Sequence, residues 1–404
     1  MDTKLAVLMT ETEREAVHRP LETAMTLPAQ AFASDEWFAL EKERVMARNW
    51  MGVLFSCEVE QIGDVHPFDY LDMPLLAMRG TDGKLRMFHN IVPYDGCLVA
   101  QERKSGVTEI ETYYHGLRYD LNGRLTAAPF WNARADCGRA AFGDKTPDLA
   151  EIACEERLGV VFINLSGTAA PIDTMLAPWR KLVGEHYAID RLVPARDAAG
   201  KPLVERRVIQ GNWKTYQENA SINQLHASFT HEVYRNSPEV PRVNAEGNPL
   251  FSRTVDGPVL TFQHLAKHSQ NTFKKLKLAT AGHDTEKLPD WGFFTTIYPN
   301  VNAPLLEYYI KVNLSIPIAP GVTETAHLRF FAPEALKSEA FQKEETVVLK
   351  GMFDQVHQED TVAIEAVQSA RRSPAFRQHY YAPFWDQLHH RFNQLVLEDM
   401  ERDV

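Results

Sequence analysis

The sequence predicts an α+β chain in two folding units, a small all-β one followed by a larger one that combines helices with an antiparallel sheet. Two observations predict it. Between about residues 48 and 165, short runs rich in β-branched and aromatic residues are separated by Gly, Asp and Asn turns. Beyond about residue 166, long strand-like runs alternate with stretches of helical period. The length, 404 residues, allows one large domain or two ordinary ones, and 44% apolar residues are ample for a packed core.

Residues 1–27 show no strong periodicity and are expected to wrap over the surface. Ser34 then offers an N-cap, and Trp37, Phe38, Leu40, Val45 and Met46 recur at helical spacing up to Asn49–Trp50. The pattern changes there. MGVLFSCEV, FDYLDMPLLAMRG, KLRMFHN, TEIETYYHGLRYDL and LGVVFINL read as strands, and Asn122–Gly123 between RYDL and RLT is a hairpin signal. In the larger unit LTFQHLA, GFFTTIYP and the pair EYYIKVNLSIPIAP and TETAHLRFFAP predict an antiparallel sheet. A helix is expected from roughly Glu344 to Ala370 and another from Pro383 to about Glu401. No internal repeat or low-complexity linker interrupts the chain.

Composition excludes several function classes. Net charge is −11 with no basic block, which argues against a nucleic-acid or anionic-membrane partner. No N-terminal apolar stretch precedes a small-residue cleavage site, and no apolar run approaches the length of a membrane span, so a soluble, cytoplasmic protein is expected. Cys57, Cys97, Cys137 and Cys154 lie far apart without a CxxC, which writes neither a zinc ribbon nor a redox pair. They read as free thiols.

The stretch that carries chemistry is NWKTYQENASINQLHASFTH, Asn212 to His231. It places His226 and His231 five residues apart. On a regular helix, at about 100° per residue, the two rings point roughly 140° apart, so they face one ion only where the helix ends or bulges. Two imidazoles and a distant carboxylate form the facial triad of mononuclear iron oxygenases. By spacing alone the pair reads first as two ordinary surface or core histidines.

The wider wording is more specific. NWK-x3-EN, then Asn223, then H-x4-H, followed much later by HQEDTVAIEAVQ, resembles the catalytic domain of Rieske-type ring-hydroxylating oxygenase α subunits, and the resemblance continues through almost the whole chain. It implies a Rieske-like β domain at 48–165, a helix-grip catalytic domain at 166–404, with its sheet curved around a long helix, and an N-terminal segment, 1–47, packed on the latter. It implies Fe(II) held by His226, His231 and Asp360. Asn223 stands where relatives place an acidic residue that bridges to a cluster-binding His of the next protomer; one turn before His226, it also reads as part of the catalytic set. Asn223 and Asn219 are candidates to orient the imidazoles, whereas Glu218, Asn219 and Trp213 read first as scaffold.

The β domain departs from that family. A Rieske [2Fe–2S] centre needs two thiolates on one iron and two imidazoles on the other, as C-x-H and C-x2-H. The flanking text is present, with KLRMFHN before the first loop and YHGLRYDLNGRL after the second. At the ligand positions stand Val92 and Tyr94, then Thr112 and His115. Neither Cys97 nor His89 restores the pair of thiolates, so no [2Fe–2S] cluster is expected.

Three functions stay open. The first is an Fe(II) oxygenase acting with O2 on a small organic substrate, aromatic by resemblance, and taking electrons from a partner or from the substrate. The second is a silent subunit assembled with an active, Rieske-bearing paralogue. The third is redox-neutral metal chemistry such as hydration or hydrolysis. The resemblance further implies a homotrimer, or a mixed ring with that paralogue, and a reductase as electron source. Leu225, Phe229, Phe262, Phe293, Phe294 and Tyr308 read either as apolar walls of the pocket or as core.

Overall fold

The computed structural model describes residues 3–184, 189–222, 225–235, 243, 246–264, 293–306, 309–331, 333–337, 339 and 350–402. They form two compact units, Trp50–Ala169 and Met1–Asn49 with Ala170–Val404.

The first unit is all-β. Strands β1 (Met51–Phe55), β2 (Val65–Tyr70), β3 (Met73–Arg79), β4 (Leu85–His89), β8 (Glu151–Arg157) and β9 (Val160–Asn164) make an antiparallel sheet in the order β1-β9-β8-β4-β3-β2. A second sheet is β5 (Glu109–Glu111), β6 (Arg118–Asp120) and β7 (Leu125–Ala127). FDYLDMPLLAMRG is thus two strands, reversed at Leu71 and Asp72, which both have positive φ (52° and 65°). A paired positive-φ turn matches the twist of a hairpin, but Leu gives no signal of it. EIACEER, not expected as a strand, pairs along β9, with Glu156 held by Arg79 at 2.6 Å. At Asn122–Gly123 the chain does turn, Gly123 taking φ +76°; a Cβ there would meet the Phe88 ring at 2.5 Å.

The second unit carries a nine-stranded antiparallel sheet. Its main path is β10 (Val193–Pro194), β18 (Val322–Phe331), β17 (Tyr309–Ala319), β15 (Val301–Asn302), β14 (Phe293–Ile297), β13 (Val259–His264) and β12 (Phe251–Asp256). Strand β11 (Glu205–Ile209) pairs with β18, and β16 (Leu305–Leu306) pairs with β14 and β17. The long helix Lys350–Ala370 runs beside β11, tied by Gln210 N–H to Glu365 (3.0 Å), Asn212 N–H to Gln368 (2.9 Å) and Arg207 to Asp354 (2.7 Å). The expected start of that helix near Glu344 lies outside the described residues. Gly211 permits the approach, since a Cβ there would stand 2.5 Å from Ile364.

Two expectations are corrected here. Residues 1–27 hold helices Thr3–Leu8 and Glu11–His18, the second opened by a capping box in which Thr10 N–H donates to Glu13 at 2.9 Å. One or two turns are too short to display a period, although the T-x-x-E pattern was there to read. The C-terminal helix begins at Gln387 rather than Pro383, because Asp386 accepts from Ala382 N–H (2.7 Å) and closes a turn first.

Helix Asp35–Glu41 is capped by Ser34, whose Oγ accepts from Trp37 N–H at 3.1 Å. It delivers Glu41 to the interior, where the carboxylate accepts from Trp37 Nε1 (2.8 Å), Trp213 Nε1 (3.0 Å) and Lys214 Nζ (2.6 Å). Burial pushes the Lys214 amine below its ordinary range against the pull of Glu41. Pairing with a carboxylate that two indole N–H groups also hold is the arrangement that makes such a charge tolerable. It anchors the stretch that leads to the site.

Candidate metal centre

Asn212 caps helix Trp213–Gln217, its Oδ1 accepting from Lys214 N–H at 2.9 Å. The helix then widens into a π turn, Glu218–Ile222. Asn223, a predicted site residue, lies outside the described residues. His226 is the N-cap of a single turn, Ala227–Thr230, and His231 is its C-cap in extended backbone (φ −90°, ψ 118°). The break in the helix removes the splay that five regular residues impose. The two rings come to 5.3 Å between centroids at 74°.

Asp360 reaches the same point from the long helix. Its Oδ1 lies 3.5 Å from His226 Nε2 and 3.4 Å from His231 Nε2. One ligand atom from each of the three residues falls within 4.8 Å of the others. Asp360 Oδ1 is buried and accepts no hydrogen bond among the described residues. Three donors at right angles around a bond of about 2.1 Å stand about 3 Å apart, so the two contacts of Asp360 need to close by about half an ångström, and a set that spans 4.8 Å draws in further when a mid-series divalent ion binds.

His231 is oriented from behind. Its Nδ1 lies 2.9 Å from Glu359 Oε2, while Glu359 Oε1 accepts from Gln355 Nε2 (3.1 Å) and Glu232 N–H (3.3 Å). Burial works to raise the Glu359 pKa, but these hydrogen bonds outweigh it and hold the group below the usual carboxylate value. Donation from Nδ1 leaves the Nε2 lone pair able to bind a metal. Among the described residues Glu359 orients His231; of the two asparagines the sequence offered as partners of the imidazoles, Asn223 lies outside the described residues. The ED pair was visible, but only the tertiary contact separates ligand from orienter. Glu218 belongs to another network, 2.9 Å from Arg371 and 3.2 Å from His389 Nε2.

The expected aromatic wall is only partly formed. Phe262 opposes Phe294 on the side of the sheet that meets the long helix, and Phe262 stacks on Phe251 at 4.8 Å. Phe293 points to the opposite side, because side chains alternate along a strand. Phe229 is exposed, Leu225 is half-buried, and Tyr308 lies outside the described residues.

In the β unit, Val92–Cys97 and Thr112–Leu117 form two equivalent loops. Val92 N–H donates to Cys97 O and Gly96 N–H to Val92 O; Thr112 N–H donates to Leu117 O and Gly116 N–H to Thr112 O. Val92 and Thr112 point inward and are buried, whereas Tyr94 and His115 point outward. The His115 Nδ1 lies 2.5 Å from Asp95 Oδ2, and Tyr94 packs edge-on to His115 and to Trp131. Inward thiolates and outward imidazoles would suit a two-iron cluster; valine, threonine and tyrosine supply no ligand for one. These residues do not fit the group.

Comparison with known proteins follows the same division. The family profile described as "Ring hydroxylating alpha subunit (catalytic domain)" matches residues 183–402, and the one described as "Rieske [2Fe-2S] domain" matches 49–137. The α subunit of 2-aminobenzenesulfonate 2,3-dioxygenase from Alcaligenes sp. is 28% identical over 54% of this chain, which spans about half (53%) of that relative. The carnitine monooxygenase oxygenase subunit of Escherichia coli K12 is 24% identical over 88% of this chain and 86% of its own length. Among solved structures, a quaternary ammonium Rieske monooxygenase in complex with L-carnitine superposes with a TM-score of 0.75 at 18% identity, covering 96% of this chain and 99% of that one.

Proposed function

The chain belongs to the ring-hydroxylating α-subunit family, whose catalytic-domain profile spans more than half of it, and from that premise we propose that it is an Fe(II)-dependent oxygenase of a small organic substrate, holding its metal with His226, His231 and Asp360. The observation that carries this reading is the convergence of three ligand atoms within 4.8 Å, with Asp360 Oδ1 buried and accepting no hydrogen bond among the described residues. When bound, Fe(II) supplies one-electron chemistry and adjacent open coordination positions.

The chain's own residues do the rest. Glu359 fixes the tautomer of His231 and its ring plane; Gln355 and the Glu232 N–H fix Glu359. The π turn and the one-turn helix set the angle between the imidazoles. Two neutral imidazoles and one carboxylate balance one of the two metal charges, leaving a cationic site that favours an electron-rich or anionic partner.

The Rieske-type domain is present as a fold, and in the family such a domain points to a [2Fe–2S] cluster. We read this copy as cluster-free, because Val92, Tyr94 and Thr112 stand at three of its four ligand positions. Electrons then come from a partner protein or from the substrate. The same three replacements favour a second reading, a silent subunit that assembles with a cluster-bearing paralogue in a closed ring.

Metal and sulfide analysis of the purified protein separates the two. About one iron per chain without acid-labile sulfide, and O2 consumption with a chemical electron donor, support the oxygenase. Protein without metal that becomes active only in a mixed oligomer supports the silent subunit and sinks the first reading.

A further inference from the structure

The side of the sheet that meets the long helix is polar at its β17–β18 end. The register sets Lys311 beside Arg329, Asn313 beside His327 and Ser315 beside Thr325. Directly opposed residues in an antiparallel pair share a face, so all six project together. All six are buried. Strand β11 extends the same face with Glu205 opposite His327 and Arg207 opposite Thr325.

The long helix completes the cluster. Lys311 Nζ meets His357 Nε2, the His357 ring stacks on His327 at 4.4 Å and 25°, and His327 Nδ1 lies 2.8 Å from Asn313 Oδ1. Arg207 faces Asp354 at 2.7 Å, and Arg329 lies 3.9 Å from Glu205. Two further polar atoms from this interior, Asn302 Oδ1 and Gln217 Oε1, are buried without a hydrogen-bond partner among the described residues. Asn302 sits opposite Asn313 on β15. His357 precedes Asp360 by three residues, which places the two on one helix face, a turn apart.

Such a face is costly as a folding device. Burial pushes the Lys311 amine down to about 7, with Arg329 adding to the effect, and burial together with Lys311 keeps His327 and His357 well below the usual imidazole range. Hydrophobic residues of the same volume fill a core at less expense than a lysine, an arginine and two histidines. What the arrangement offers instead is a set of N–H donors beside the reaction centre. The His327–Asn313 contact directs the Asn313 amide nitrogen outward as a donor when His327 carries its proton on Nδ1.

We propose that Lys311, the stacked pair His357–His327 and Asn313 form a binding site for an anionic group of the substrate, a carboxylate or sulfonate, one helical turn from the metal triad. The proposal rests on the oxygenase reading for what lies next to that group, but the recognition itself needs only the sheet and the long helix. An anion seated there brings opposite charge to the buried ammonium and accepts from the Asn313 amide and from the His357 N–H on the nitrogen that does not face Lys311. Its carbon skeleton then extends toward Asp360.

The test is calorimetric and needs no turnover. Full-length protein loaded with Fe(II) under nitrogen is titrated with benzoate, benzenesulfonate and butyrate, each beside its neutral amide, and then compared with Lys311→Met and Lys311→Arg. At least one anion is expected to bind about tenfold or more tightly than its amide. That preference should vanish in Lys311→Met, a near-isostere, and persist in Lys311→Arg, with iron content equal in all three. No anion preference in the wild type, or a preference that survives Lys311→Met because the metal alone holds the anion, overturns the proposal. Iron content on the same samples reports separately on the triad, so a failure of the metal assignment is not mistaken for a failure of the anion site.

Discussion

Glu359 holds His231 by its Nδ1 at 2.9 Å and so decides which nitrogen of that ring faces Asp360. Removing an orienting carboxylate of this kind typically costs about 10–100-fold in metal affinity. Glu359→Ala should therefore lose iron to a competing chelator in that range, while Glu359→Gln, which keeps an acceptor oxygen in place, should lose less. Equal affinity in all three proteins would show that the contact does not orient the ligand.

The proposed ligands themselves answer to a harsher test. His226 and His231 bracket a single helical turn, so cutting either ring to Ala leaves the backbone hydrogen bonds of that turn unchanged. Each variant should retain the secondary structure of the wild type by circular dichroism and carry almost no iron. Asp360→Asn keeps the shape but removes the charge, and should hold iron weakly. Wild-type iron content in any of the three would remove that residue from the triad.

Whether the β unit holds a cluster, and whether its scaffold can be made to, is also measurable. The loops Val92–Cys97 and Thr112–Leu117 keep matching backbone closures, with Val92 and Thr112 buried at equivalent positions. The triple change Val92→Cys, Tyr94→His, Thr112→Cys, beside the existing His115, recreates two thiolates and two imidazoles. The wild type should show no two-iron absorption and no sulfide; the triple variant, reconstituted with iron and sulfide, should turn brown. A cluster signal in the wild type contradicts the cluster-free reading directly.

Glu41 offers a stability prediction. It is fully buried and satisfies Trp37, Trp213 and Lys214 at once. Glu41→Ala strands a buried ammonium and should cost about 3–5 kcal/mol in denaturant unfolding. Replacing the pair by Glu41→Leu with Lys214→Met removes the stranded charge and should recover part of that loss, the Trp37 and Trp213 N–H groups staying unpaired. A single variant as stable as the wild type would mean that water reaches the pair.

The convergence of His226, His231 and Asp360 was legible because their residue types and the surrounding wording are specific, and two rings five residues apart can face one point only where a regular helix breaks. What the sequence hid is tertiary. Lys311, Asn313 and Ser315 alternate with Ile310, Val312 and Leu314, a period-2 pattern that ordinarily marks a solvated face; here the long helix covers the polar side. Nothing in the sequence marks Glu359, the neighbour of Asp360, as the partner of His231, since that contact spans 128 residues. The turn at Leu71–Asp72 was invisible because leucine seldom takes positive φ, and the short N-terminal helices lacked the length to show a period.

The buried Glu218–His389–Arg371 network predicts a stability optimum on the acid side of neutrality. Burial opposes charge on both Glu218 and His389, but the partners outweigh it: Arg371 and His389 hold Glu218 down at about 2, and Glu218 with Asp386 lifts His389 to about 9. A lowered carboxylate contributes fully above its ordinary 4.5 and loses that contribution as the pH falls toward 2. A raised imidazole contributes fully below its ordinary 6.5 and loses that contribution as the pH rises through 9. Both are present between these bounds. Stability should decline from about pH 6 to about pH 9 by an amount on the order of 1–3 kcal/mol from this network. His389→Asn, neutral throughout, should lower stability at pH 6 and flatten the alkaline decline. An unchanged decline in that variant would assign it to other groups.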